Sequence, residues 1–487
     1  MSTPTTHEGA THITACLRRC TQKHASVFFI GIGGVMMSSL ALLTHRAGHP
    51  TVGSDRAHSA VTDTLEAAGI RICYQHAAEN LPADCGLVVY TVAISPDNPE
   101  YVAARERGIL CVSRADYLGA LMTDYTRRVG VAGMHGKSTC TSICAQILLD
   151  AAVDPTILSG ASYAPMGGAY LLGDSKEHFL FEACEYMDSF LDFNPTVAVL
   201  LGAELEHVDY FKSMEQIISS FARFASLTGP EGVTVVNADD KNIMESAHRA
   251  LESGNTGRVV TFSAAGKESA DLYARRVRSE GGFPCFELVA YGEVRGEVAM
   301  AVPGRHQVIN ALAAAAAMEA CGISWEAILS GISHYIGAGR RMERKGEVNG
   351  ATIFDDYGHH PTEVKATLEG AKALCTAQSG EGRLICVFQP HTYSRTASLY
   401  PQFLTAFDAA DTLILLDIYA AREANEYGVS SERMAADINL TAPDKALYCP
   451  TPTAAAEAVR TVARPGDHVV IMGAGDVIRV TEALLKD

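Results

Sequence analysis

Two glycine-rich turns carry most of the chemistry that this chain of 487 residues could perform. The stronger is Val129-Gly130-Val131-Ala132-Gly133-Met134-His135-Gly136-Lys137-Ser138-Thr139, an apolar strand that runs into a glycine loop, a lysine and a hydroxyl. Backbone amides in such a loop cradle phosphates, Lys137 can reach the terminal phosphates, and the Ser138 hydroxyl can bind Mg2+. The spacing, Gly133-x-x-Gly136-Lys137-Ser138, is shorter than the usual phosphate-loop fingerprint. The plain alternative is a turn with an exposed lysine, and the preceding strand argues against it. The weaker turn is Phe28-Phe29-Ile30-Gly31-Ile32-Gly33-Gly34-Val35-Met36-Met37-Ser38, where a first strand meets a first helix. Its glycines would let the backbone approach a pyrophosphate. Met36 occupies the place of the last glycine of the dinucleotide fingerprint. Gly53-Ser54-Asp55 follows where a ribose-binding acid would lie. This turn is either a nucleotide-diphosphate site or simply a tight strand-to-helix connection.

A phosphate loop needs partners for its metal. Mg2+ prefers oxygen ligands and takes one or two carboxylates beside phosphates. Glu182 ends the strand-like run Phe179–Phe181, a usual place for a site residue in a parallel sheet. Glu204, Glu206, His207 and Asp209 follow the next run, Val197–Leu201. Each is weak alone, and a lone histidine is more often solvated or in a core. Two consecutive strand ends bearing such groups are more persuasive.

Strands and helices must position these groups. Short apolar runs recur at Val27–Ile30, Leu87–Tyr90, Val129–Ala132, Val233–Val236, Ile353–Phe354, Leu384–Phe388, Leu413–Leu416 and Val469–Met472, separated by helical stretches. Continuous apolar strands alternating with helices predict parallel sheets covered on both faces, the α/β class. The segment from Phe283 to Val302 alternates like antiparallel strands, and Asn310 to Ala320 is an alanine-rich helix. A chain of this length suggests about three domains. The expected bounds are 1–125, 126–337 and 338–487. The net charge of −17 argues against nucleic acid as a partner. Thirteen cysteines are scattered without a CxxC pair, which predicts reduced thiols. The polar N-terminus lacks an apolar export segment, and no apolar run reaches about 18 residues. A soluble, cytoplasmic protein without a membrane partner is expected.

The order of motifs resembles the Mur ligase family, from about Val27 to about Ala483. They begin with Gly31-Ile32-Gly33-Gly34, Met37-Ser38 and Gly53-Ser54-Asp55, then Ala93-Ile94-Ser95 with Asn98-Pro99-Glu100. The loop Gly133 to Ser138, Glu182-Ala183-Cys184-Glu185 and Glu204-Leu205-Glu206-His207-Val208-Asp209 follow. Pro303-Gly304-Arg305-His306 with Asn310, Gly339-Arg340-Arg341, and Asp355-Asp356-Tyr357-Gly358-His359-His360-Pro361 come next. Phe388-Gln389-Pro390-His391 with Ser394-Arg395-Thr396, and Gly473-Ala474-Gly475-Asp476, complete the series. The runs Asp355–Pro361 and Phe388–Thr396 are the most specific. Met36, Met134, Gly202, Gln307 and Thr392 depart from the family's usual residues.

The resemblance implies a three-domain architecture: a Rossmann-like N-terminal domain, a central P-loop ATPase-type parallel sheet and a Rossmann-like C-terminal domain. It implies an ATP-dependent ligase that joins L-alanine to the lactyl carboxylate of UDP-N-acetylmuramate through an acyl phosphate, in peptidoglycan precursor synthesis. A similar activity, attaching a preformed peptide to the same sugar nucleotide, is the alternative. By the same resemblance, Gly31, Ile32, Gly33, Gly34, Ser38 and Asp55 hold the UDP-sugar. Gly133, Met134, His135, Gly136, Lys137, Ser138, Thr139, His306, Asn310, Arg340, Arg341 and Asp356 hold ATP. Ser138, Glu182 and His207 hold Mg2+. Tyr357, His359 and Arg395 surround the amino acid, with the Arg395 fork suited to its carboxylate. Lys137, Glu182, His207, His359 and Arg395 are the expected catalytic set.

Plainer roles compete for several of these residues. Arg395 could be a surface ion pair. The adjacent His359 and His360 could be a metal pair, or one of them could be structural, because neighbours point apart. Asp417 and Arg422 could line a cleft or be solvated loop charges. Cys16 and Cys20, at helical spacing, should face an apolar surface. A non-catalytic nucleotide-binding protein would not need Lys137, Glu182 and His207 intact. A dinucleotide dehydrogenase would leave Lys137 without a role.

Overall fold

The structure, a computed structural model, describes residues 6–91, 94–207 and 210–486. The motif residues Ala93, Val208 and Asp209 lie outside the described residues. The chain divides into two compact units: residues 1–137, 152–236 and 240–260, and residues 138–151, 237–239 and 261–487.

In the first unit, β1 (Ser26–Ile30), β2 (Thr51–Asp55), β3 (Arg71–Tyr74), β4 (Cys85–Tyr90) and β5 (Leu110–Ser113) form a sheet of order β3-β2-β1-β4-β5. All its pairings are parallel. Every residue of β1 is buried, as an unbroken apolar strand covered on both faces must be. The strand order reverses at β1, and the carboxyl end of a strand at such a switch point is where open α/β sheets bind ligands. The turn Gly31–Gly34 stands there. The N-terminal stretch, read from sequence only as polar, forms the helix Thr6–Lys23. Ile13, Cys16, Leu17 and Cys20 are its buried stripe, at the spacing of one helical face. Cys16 and Cys20 therefore pack inward as their spacing suggested.

A second sheet of this unit has the order β11-β10-β6-β9-β7-β8. Its strands are β6 (Arg127–Ala132), β7 (Thr156–Tyr163), β8 (Gly168–Leu171), β9 (His178–Glu182), β10 (Val197–Leu200) and β11 (Gly229–Asn237). β6 runs parallel to both β10 and β9. Gly130 in β6 makes room for Phe181 of β9, since a Cβ there would lie 2.6 Å from the Phe181 ring.

β12 (Thr256–Ser263) leads into the second unit, where its end pairs with β13 (Leu272–Glu280). β13, β14 (Phe283–Ala290) and β15 (Glu293–Ala299) pair antiparallel, as the alternation from Phe283 predicted. The alanine-rich helix spans Gln307–Ala320, starting three residues before its expected Asn310, and is almost wholly buried. A further sheet has the order β16-β17-β21-β18-β19-β20. It comprises β16 (Glu343–Val348), β17 (Ala351–Asp356), β18 (Leu384–Phe388), β19 (Thr412–Leu415), β20 (Ala446–Tyr448) and β21 (His468–Met472). Only β16 runs antiparallel to its neighbour. Among the described residues no cysteine is in a disulfide, and no helix is long and apolar enough to cross a membrane.

Candidate active site

In the first unit, the loop after β6 lies between two strand ends because β9 and β10 flank β6. Gly133 adopts φ +148°, and a Cβ on it would lie 2.8 Å from Leu201 Cβ. The Met134 N–H donates to Gly202 O at 3.0 Å. The departure Leu201-Gly202-Ala203 thus serves the loop through its backbone. Lys137 Nζ donates to Gly133 O at 2.6 Å and to Met134 O at 3.3 Å, and it pairs with Glu185 at 2.9 Å. His207 Nε2 stands 3.3 Å from the other Glu185 oxygen. Glu185 is fully buried. Burial pushes the Lys137 ammonium down, but Glu185, with Cys184 and Glu182, outweighs it and holds its pKa above the usual range. Burial pushes Glu185 up, and Lys137 and His207 overcome that to hold it below the usual range.

Glu185 is the site residue whose role sequence reasoning missed. Its signal was present, as a second acid three residues past the strand end marked by Glu182. Glu182 itself accepts the Gly160 N–H at 2.9 Å. Gly160 leaves the space for that carboxylate, since a Cβ there would lie 2.6 Å from it. His135 Nε2 lies 3.1 Å from Glu204. Asp240 holds the loop after β10 by accepting the Ala203 N–H at 2.9 Å.

At the other glycine turn, Asp55 accepts the Gly33 N–H at 2.8 Å. Gly33 permits this approach, because a Cβ there would lie 2.9 Å from the Asp55 carboxylate. The helix Val35–Arg46 opens on Gly34 without a side-chain cap, so its first amides suit an anion. Ser38 is buried and its hydroxyl donates to Val35 O, so its bond stays within the helix. Glu100 of the Asn98-Pro99-Glu100 motif is buried and accepts from Ser54 (2.6 Å) and Asn80 (2.7 Å), with His76 at 2.9 Å.

In the second unit, the carboxyl ends of β17, β18 and β21 carry the expected groups. Asp356 accepts the Met342 and Gly358 N–H groups at 2.9 and 2.7 Å. Burial raises its pKa to about 6, although Arg341 opposes this. The two arginines separate in role. Arg340 is tied to buried Asp355 at 3.0 Å and to Gly473 O at 2.7 Å. The charge of Arg341 bears on both Asp356 and His306. Both guanidinium groups lie over the Tyr357 ring. His360 is the structural member of its pair: it is buried and caps the helix Pro361–Ser379 by accepting the Thr362 N–H. His359 Nδ1 faces Tyr357 O at 3.0 Å. Arg395 Nη1 donates to His391 Nδ1 at 3.2 Å. Asp417 accepts the Tyr448 hydroxyl at 2.6 Å, which accounts for that charge as a loop contact.

A cavity of about 580 Å3 in this unit is lined by Asp239, Gly304, Arg305, His306, Ile309 and Gly370, among others. Gln307 explains its departure from the family residue: its amide meets His306 Nε2 at 3.1 Å and its oxygen accepts from Asn310 at 3.4 Å. Burial first, then Arg341, lowers the His306 pKa to about 4. The unfolded chain therefore holds the extra proton between about pH 4 and 6.5, and stability falls as pH falls through that window. The loss between pH 7 and pH 5 is about 2 kcal/mol for this group. Urea unfolding of His306→Gln should show its gap to the native chain narrowing by about that amount over this range. Parallel pH profiles for the two proteins would exclude it.

Parallel sheets with phosphate-loop chemistry in one unit, and a second set of polar strand ends in the other, define a class. The family's catalytic-domain, middle-domain and glutamate ligase domain descriptions match residues 26–126, 131–318 and 340–475. The chain belongs to the Mur ligase family. It is 40% identical over 465 residues to the UDP-N-acetylmuramate–L-alanine ligase of Agathobacter rectalis, covering 95% of this chain and 98% of that one. The same identity holds over 468 residues with the ligase of that name from Clostridium beijerinckii, with the same coverage of each. Among solved structures, a UDP-N-acetylmuramate-alanine ligase from Thermotoga maritima is similar at a TM-score of 0.75 and 24% identity, covering 94% of this chain and 98% of that one. A murein peptide ligase from Psychrobacter arcticus reaches 0.66 at 24% identity, with the same coverage of each chain. These two likenesses show the fold.

Proposed function

We propose that this chain is an ATP-dependent carboxylate–amine ligase that joins L-alanine to the lactyl carboxylate of UDP-N-acetylmuramate, releasing ADP and phosphate. The setting is peptidoglycan precursor synthesis in the cytoplasm. The observation that carries the reading is likeness along nearly the whole length to ligases of that name. The peptide-attaching alternative is supported only by similarity of fold. We assign residues 1–125 to the UDP-sugar, 126–337 to ATP and 338–487 to the amino acid.

The chemistry explains why these groups are needed. A carboxylate is a poor electrophile. Transfer of the ATP γ-phosphoryl group to one carboxylate oxygen yields an acyl phosphate and ADP. The alanine amine attacks the acyl carbon, and the tetrahedral intermediate collapses to the amide with loss of phosphate and the amine proton. Lys137 offsets charge on the transferring phosphoryl group. Ser138, Glu182 and His207 are the residues that would hold Mg2+, and the space that Gly160 leaves for the Glu182 carboxylate suits an oxygen ligand. When bound, Mg2+ supplies further neutralisation of phosphate charge. The cavity beside His306 suits the adenine ring. Asp55 shapes the diphosphate turn through Gly33, and Arg395 takes the alanine carboxylate. Much of the rate then comes from positioning.

The test supplies UDP-N-acetylmuramate, ATP and Mg2+ with alanine, serine, glycine or a tripeptide in turn. ADP and phosphate form with alanine. Phosphate release only with the tripeptide would overturn the alanine reading, and AMP with pyrophosphate would overturn the acyl phosphate. Gly33→Ala should weaken UDP binding about tenfold or more, since it displaces a carboxylate-accepted hydrogen bond. Titration calorimetry with UDP checks this, and unchanged affinity would remove the turn from the site.

A further inference from the structure

Four rings stand in a row in the second unit, and the last has no role in the reading above. Tyr357 and His359 lie 5.5 Å apart, His359 and His391 5.8 Å, and His391 and Tyr419 5.5 Å with their planes at 21°. The row begins under the guanidinium groups of Arg340 and Arg341, 5.1 and 5.5 Å from the Tyr357 ring centre. Arg395 meets the row at its third ring, donating to His391 Nδ1. Burial, then the neighbouring His359 and Arg395, hold His391 near a pKa of about 4, so it is the neutral acceptor that this bond needs.

Tyr419 is locked in place at the far end. Its N–H donates to Pro390 O at 2.8 Å, and its carbonyl accepts from the Thr392 N–H at 2.9 Å. Gly475 closes on it from another strand end, where a Cβ would lie 2.6 Å from Tyr419 Cγ. Thr392 is held at φ +67°, a conformation uncommon for a β-branched residue. Four residues beyond Tyr419, Glu423 accepts both the N–H and the hydroxyl of Ser394, at 2.8 and 2.5 Å. Ser394 lies in the first turn of the short helix Tyr393–Ser398, which carries Arg395. One segment therefore sets both the last ring and the aim of the arginine. Tyr419 remains 37% exposed, so part of its surface can meet a ligand.

We propose that Tyr419 is the specificity-determining end wall of the amino-acid site, and that Glu423 is the positioning residue for Arg395. This rests on reading Arg395 as the carboxylate partner. The incoming amine points towards the Tyr357 end of the row, and the carboxylate stops at Arg395 beside His391. A peptide continues past that point, where a single amino acid ends, and its chain runs into Tyr419. The site thus takes one small free amino acid and refuses an extension at the carboxyl side.

The experiment measures steady-state ligation of alanine and of an alanine-initiated tripeptide by the full-length enzyme and its variants. Tyr419→Ala lowers the alanine-to-tripeptide ratio of kcat/KM at least tenfold, with the KM for the UDP-sugar as the measure of intact folding. Tyr419→Leu removes the flat ring but keeps an apolar body, and it carries the same comparison if the alanine variant does not fold. Tyr419→Phe keeps the discrimination. Glu423→Ala raises the KM for alanine at least fivefold with kcat within twofold, and Glu423→Gln, which retains an acceptor oxygen, recovers most of that loss. An unchanged ratio in Tyr419→Ala or Tyr419→Leu overturns the end wall, and an unchanged alanine KM in Glu423→Ala overturns the positioning role. The underlying reading fails separately, if Arg395→Ala leaves the alanine KM untouched.

Discussion

Replacing Lys137 by alanine lowers kcat about a thousandfold while UDP-sugar binding persists. Removing one preorganised group that stabilises transition-state charge costs roughly 10²- to 10³-fold, and Lys137 also ties its own loop together. Its ammonium bonds to two loop carbonyls and to the fully buried Glu185. The same substitution leaves the Glu185 charge in the interior beside His207, 3.3 Å away. Breaking a buried pair on one side costs about 3–5 kcal/mol, so the melting temperature falls as well. The double variant Lys137→Ala with Glu185→Gln separates the two effects, because it removes the stranded charge but cannot restore the missing cation. Thermal melts should recover in the double variant and turnover should not. The turn proposed for the UDP-sugar belongs to a different sheet, so calorimetry should find its affinity within about twofold in both proteins. Turnover above a tenth of the native value, or joint loss of sugar binding, would contradict this account.

Arg395→Ala raises the KM for alanine by about 10- to 100-fold and changes the KM values for ATP and UDP-sugar little. A hydrogen-bonded pair of opposite charges contributes roughly 1.5–3 kcal/mol, and a planar fork can meet both carboxylate oxygens. The fork is already oriented: one arm bonds to His391 Nδ1, and the helix beneath it is pinned through Ser394 by Glu423. Arg395→Lys keeps the charge but loses the planar geometry, so it falls between the two. Steady-state kinetics with each substrate varied in turn reads the difference. An alanine KM within twofold of native in the alanine variant rejects the assignment.

Much of this site was legible because its chemistry is written in contiguous residues. A strand followed by glycines, a lysine and a hydroxyl can do few things, and Gly133 to Ser138 stayed recognisable despite Met134. Asp55 was legible as an acid one strand further on. Its contact proved to be with the Gly33 backbone, a distinction that spacing alone cannot make. Ser38 matched the motif by type, but its hydroxyl is taken by the carbonyl three residues earlier. The paired histidines show the same limit. Sequence left open a metal pair or one structural member, and backbone geometry made His360 the helix cap.

The sequence by itself determined the α/β class, the succession of strands and the glycine turns, since these follow from local apolar runs and backbone freedom. It also named most groups able to do chemistry. Tertiary structure alone decided which of those groups meet. It set Glu185 rather than Glu182 against Lys137, separated the tasks of Arg340 and Arg341, and brought Tyr419 onto His391 from the end of a different strand. The physical reason is that such pairings depend on strand order and burial. Two residues far apart in the chain become neighbours only when their strands lie side by side, and their charges acquire their properties only when water is excluded.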